Sequence, residues 1–164
     1  MSTQDFFGLW AHVLGLVAYG GVTLALLVVI LPASAYIAAP MRHTFLAQSL
    51  KFYDPAAIAT LGVVVMTGAF NLTRYKDALR GNFFAEVGEL LLWKLAFVFL
   101  VVMVGTYITF GLGHRIVRAE MAGEPFEPEQ LASMSRRLVY ACILNLVLLA
   151  ITTWFGLAFG HARI

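Results

Sequence analysis

Charge is scarce in this chain: Asp, Glu, Lys and Arg make up 12% of the sequence, about half of what a water-soluble domain carries. That shortage excludes an ordinary solvated surface. The net charge of +2 and the lack of any basic cluster interleaved with aromatics argue against a nucleic-acid partner. One cysteine, Cys142, rules out a disulfide framework. No P-loop, dinucleotide fingerprint, HExxH signature or serine-nucleophile elbow occurs, so the common nucleotide-dependent and hydrolytic chemistries have no motif to stand on. There is no internal repeat and no low-complexity tract.

What is abundant is apolar: 61% of the residues, with mean hydropathy +0.85. Four runs reach the roughly 20 residues that a spanning helix needs, at about 7–34, 55–75, 88–113 and 138–160. The first lacks a basic leader and is too long for a signal-peptide core, so it is expected to stay as a membrane helix. Asp54-Pro55 has the form of an N-cap followed by proline at the first helical position, which predicts that the second helix starts there. Glu127-Pro128 predicts the same for the fourth, and Gly123 is expected to end a third helix that runs on to about 121. The expected fold is all-α: residues 1–164 as a single four-transmembrane-helix bundle, with helices near 7–34, 55–75, 88–121 and 128–160.

Basic residues orient it. Arg42, Lys51, Arg115, Arg118, Arg136 and Arg137 fall in the first and third connections, against Arg74, Lys76, Arg80 and Arg163 on the other side. The positive-inside rule then places both termini outside an inner (plasma) membrane. Trp10, Trp93, Trp154 and Tyr75 form an aromatic belt towards that outer face.

Two titratable side chains break the apolar runs. His12 and Lys94 each lie some five or six residues into a helix, roughly 8 Å below its start at about 1.5 Å per residue. Asn71, Thr152 and Thr153 reach the same level. An ionisable group at such depth needs a reason. Helical spacing puts His12, Tyr19 and Thr23 on one face, as it does Thr60, Thr67 and Asn71, then Lys94, Gly105 and Thr109, then Asn145, Thr152 and Gly156. The asparagines and threonines are expected to make interhelical or backbone hydrogen bonds, and the glycines to allow close approach. Lys94 alone would reach the headgroups, His12 alone would be a bonded core histidine; their shared depth is what suggests a site. His43 and His114 are expected at the opposite interface, facing headgroups or water.

A neutral imidazole and a neutral amine are both donors to haem iron. Gly15 and Gly105 would let the ring press on backbone, Tyr19 and Asn71 would line it, and Arg74, Lys76 and Arg80 would meet its propionates. Copper is the alternative, with His12, His161 and a methionine as donors. Met66 and Met103 lie mid-membrane and Met41, Met121 and Met134 on the far side, so no methionine-rich path supports it. A third alternative is a non-catalytic subunit of a larger assembly, whose polar stripes serve packing alone.

The run Leu9-Trp10-Ala11-His12-Val13-Leu14-Gly15, then Tyr19-Gly20-Gly21 and Leu31-Pro32-Ala33, resembles the opening helix of the copper resistance D (CopD) family. Thr67-Gly68 and Leu92-Trp93-Lys94-Leu95 resemble it as well. A related four-helix group, the HemJ-type protoporphyrinogen oxidases, has a similar first-helix histidine and third-helix lysine. The resemblance implies that His12 and Lys94 hold haem b, in an electron-transfer protein or a membrane oxidoreductase of that oxidase type; the CopD likeness implies copper uptake or tolerance. The expected partners are the lipid bilayer, a membrane or periplasmic redox protein and a second copy of the chain.

Overall fold

The computed structural model describes residues 3–79, 83–124 and 126–161, without the side chains at 3–5, 39, 40, 74–79, 83–87 and 159–161. Among them every regular element is helical, and four helices are long and apolar enough to cross a membrane: Phe6–Ala35, Met41–Thr73, Gly88–Ala122 and Pro128–Ala158. The chain is an all-α bundle of the multi-pass membrane type. The first helix runs from Thr3–Ala25 through a wide π-helical turn at Leu26–Ile30 to Leu31–Ala35. The third is Phe83–Thr106, a second π-helical turn at Tyr107–Gly113, and His114–Ala122.

Two boundaries follow their local chemistry. Gly123 takes φ 71°, the left-handed conformation that glycine adopts without strain, and turns the chain out of the third helix. Its N–H donates to the Glu120 carbonyl and that of Glu124 to the Ala119 carbonyl, at 3.1 and 3.0 Å, which satisfies the last turn. Pro128 opens the fourth helix, Pro128–His161, where its missing N–H costs nothing.

The second helix corrects the sequence-based expectation. It is Ala39–Leu79, running through Pro55, so Asp54 caps nothing and residues expected to form a loop are helical. The reason is tertiary: Leu46, Leu50, Tyr53 and Ala57 recur at helical spacing and are all buried. Burial of that stripe outweighs the one hydrogen bond that an interior proline forfeits. The short connection Tyr36–Ala38 is fastened by Arg42, whose Nη2 donates to the Ala35 carbonyl at 2.9 Å.

The helices associate as two pairs, first with second and third with fourth. The pairs close on each other towards the end where the first joins the second and the third joins the fourth, here called the hairpin end. Leu46, Leu50, Leu112, Ile116 and Leu138 make the densest packing there. His43 is buried, at 3% exposure, with its Nδ1 2.6 Å from Glu120 Oε2 and its ring 5.8 Å from that of Phe126. A headgroup-facing His43 was the expectation; the structure instead uses it to tie the second helix to the third. His114 is exposed, as expected.

In the apolar interior the pairs are joined by one amide. The Tyr19 hydroxyl donates to Asn145 Oδ1 at 3.0 Å, and Asn145 Nδ2 donates to the Val101 carbonyl at 3.0 Å. Gly105 makes room for it, since a Cβ there would stand 2.6 Å from the Tyr19 hydroxyl. Tyr19→Phe is therefore expected to cost about 0.6–1.7 kcal/mol, the range for a hydrogen bond between membrane helices. Gly105→Ala, which displaces the same hydroxyl and adds strain, should lower the thermal midpoint in detergent further than Tyr19→Phe does.

Candidate functional site

At the opposite end, where the first and third helices begin, the packing opens and polar side chains are only half-buried. His12 points to the second helix. Its Nδ1 lies 2.9 Å from the Thr67 hydroxyl. That hydroxyl also lies 2.6 Å from the Val63 carbonyl, and donation there favours a ring that donates to it from Nδ1. In that tautomer of the neutral ring Nε2 carries the lone pair. Gly68 provides the space: a Cβ at that position would come within 3.2 Å of the His12 Cε1. Close approach of the two helices continues at Gly15, where a Cβ would meet Val64 and Val63 side chains at 3.1 and 3.2 Å.

Lys94 belongs to the other pair. Its ammonium end lies over Gly156 of the fourth helix, where a Cβ would stand 3.6 Å from Nζ and 3.8 Å from Cε. One turn further in, Phe97 and Phe155 stack, 5.5 Å between centroids and 22° between planes. Lys94 and His12 lie within electrostatic reach of one another. Two nitrogen-bearing side chains, one on each helix pair, therefore lie near one another towards this end of the bundle.

The remaining residues singled out from the sequence divide by what they touch. Asn71 Nδ2 reaches the Gly8 carbonyl at 3.5 Å, and so serves the first pair. Tyr19 and Gly105 belong to the Asn145 junction deeper in the bundle. Thr60, Thr109, Thr152 and Thr153 each donate to a carbonyl of their own helix, the packing role expected of them. The side chains of Arg74, Lys76 and His161, and all of Arg80, lie outside the described residues. Among the described residues no three of His, Cys, Asp and Glu come together. An open apolar groove of about 340 Å³ runs along the first two helices past Trp10, Leu14, Gly15, Ala59 and Val63, beside the His12 layer but not lined by it.

Sequence reasoning missed Asp54, a carboxylate inside the second span, by reading it as a helix cap. The signal was there in the unbroken spacing of Leu46, Leu50, Tyr53 and Ala57. It also missed the His43–Glu120 tie, for which no local signal exists across 77 positions.

Comparison with known protein families, characterised proteins and solved structures returns no match. The site must be interpreted on its own geometry.

Haem b is tested by the donors present. A haem-ligating histidine needs one ring nitrogen held by a neighbour; His12 meets this through Thr67, and in that respect fits the group. Selective ¹⁵N NMR of the protein in lipid is expected to show the Nδ1–H tautomer at His12, and Thr67→Val should abolish that preference while leaving His43 and His114 signals in place.

Proposed function

We propose that this protein holds haem b between its two helix pairs, with His12 and Lys94 as the axial ligands, and that it transfers electrons at the outer side of the plasma membrane. The observation that carries this reading is the imidazole anchored through Nδ1 at Thr67, with Lys94 near enough to act on it electrostatically. Bound there, haem b supplies one-electron redox chemistry. The chain's own part is positional. Thr67 fixes the ring, Gly68 and Gly156 leave room beside each nitrogen, and Phe97 with Phe155 offers a flat apolar wall. The apolar helices exclude water from the centre.

The outer placement rests on the basic side chains of the hairpin end, Arg42, Lys51, Arg115, Arg118, Arg136 and Arg137, which the positive-inside rule assigns to the cytoplasm. The likeness of the first and third helices to CopD and HemJ-type proteins supports the same ligand pair. A membrane-soluble reductant or a periplasmic redox protein is the partner class for a centre so close to the outer interface.

Protein expressed with ample haem is expected to purify with a Soret band that is lost in both His12→Ala and Lys94→Ala and in strongly acidic buffer, where protonated ligands release iron. A colourless preparation with stoichiometric copper would replace this reading with copper handling. If Lys94→Met leaves colour, stability and phenotype unchanged, the chain is instead a packing subunit of a larger assembly.

A further inference from the structure

Asp54 is an acid inside the second candidate span that the proposed centre does not use. It stands in the second helix between Tyr53 and Pro55, within the span Met41–Thr73. Its carboxylate packs on the third helix at Gly113, where a Cβ would come within 2.7 Å of Oδ1 and 3.0 Å of Oδ2. Oδ1 is sealed off and has no hydrogen-bond partner. Gly113 is buried and closes the π-helical turn Tyr107–Gly113, a geometry that recurs at functional sites. On the adjoining face Tyr53 is buried, with its hydroxyl at Thr23.

A desolvated carboxylate with an orphaned oxygen is costly unless something neutralises it. The charged and titratable groups near its level are Lys51 and Tyr53 on its own helix, Tyr19 on the first, Tyr107, His114 and Arg115 on the third, and Arg136, Arg137 and Cys142 on the fourth. Those that can carry a positive charge, Lys51, His114, Arg115, Arg136 and Arg137, are exposed, and among the described residues none pairs with Asp54. A divalent ion takes six or more oxygen ligands; here one carboxylate faces backbone, and among the described residues no group of three His, Cys, Asp or Glu forms around it. A proton needs only the oxygen. The residue as a whole is half-buried, so a proton has a way in and out.

We infer that Asp54 is a proton-binding site, separate from the His12–Lys94 centre, whose occupancy sets the contact between the second helix and the π-helical turn at Gly113. Thirteen residues separate Asp54 from Thr67, the partner of His12, which is about 20 Å along a helix. With the proton on, the carboxyl is neutral and rests against the glycine. With the proton off, the bare charge needs water or a cation that this contact does not provide, and the two helices are driven apart there.

The test is labelling of the full-length protein in liposomes with dicyclohexylcarbodiimide, which couples to protonated carboxyl groups shielded from water, followed by peptide mass spectrometry. The adduct is expected at Asp54, forming roughly tenfold faster than at Glu89, Glu120 or Glu129. Its rate should fall as pH rises, Asp54→Asn should remove it, and Gly113→Ala should change it at constant pH. The inference is overturned if Asp54 stays unlabelled at every pH, if a water-soluble carbodiimide labels it as fast, or if sodium ions protect it at fixed pH. The same labelling in His12→Ala protein, which has no haem ligand, is expected to be unchanged, so the result stands apart from the fate of the haem reading.

Discussion

Two helix pairs with greasy surfaces have little reason to choose each other in a bilayer, because lipid tails solvate leucine as well as another leucine does. The Asn145 amide supplies the reason. It accepts from Tyr19 on one pair and donates to the Val101 carbonyl on the other, in a medium where an unpaired amide is expensive. The register of the bundle follows from it: with Tyr19 and Asn145 fixed, His12 and Lys94 are brought towards one another at the same end. Gly105 is part of the same constraint, being the only residue type whose side chain leaves the Tyr19 hydroxyl where it is.

Polarity in this interior falls into three layers with different jobs. At the hairpin end His43 and Glu120 tie helices together near water. In the middle the Asn145 junction sets register, and eight residues along the third helix towards the hairpin end Asp54 presses on a turn of π-helix. At the far end the half-buried His12 bonds to Thr67 within the first pair, and the half-buried Lys94 lies over Gly156 within the second. Rigid packing below and openness above is the arrangement expected when a site is mounted on a scaffold that does not itself take part.

Much of this was legible in the sequence where the cause is local. Four apolar runs predict four spans; Gly123 ends the third helix because it alone takes φ 71° freely; Pro128 starts the fourth because proline suits a first turn. Helical spacing put His12 with Tyr19 and Thr67 with Asn71 on inward faces. Where the cause is long-range the sequence misleads. Asp54-Pro55 looks like a helix start by every local rule, yet Leu46 and Leu50, buried against the other helices, carry the helix straight through it. His43 looks like an interface residue until Glu120, 77 positions on, is beside it. That His12 interrupts an apolar run was readable; its bond to Thr67, 55 positions on, was not.

The length of the second helix has a consequence for how the protein is held together. At 41 residues it is about 60 Å long, twice the hydrocarbon thickness of a bilayer of roughly 30 Å. Its hairpin-end portion, with Lys51 exposed on one flank and Leu46 and Leu50 at 0% exposure on the other, resembles a water-soluble bundle more than a membrane one. Water-driven burial works there and is absent among the acyl chains. The molecule is therefore stabilised by two different solvents along one axis: denaturants and cold act on the protruding end, lipid and detergent composition on the embedded one.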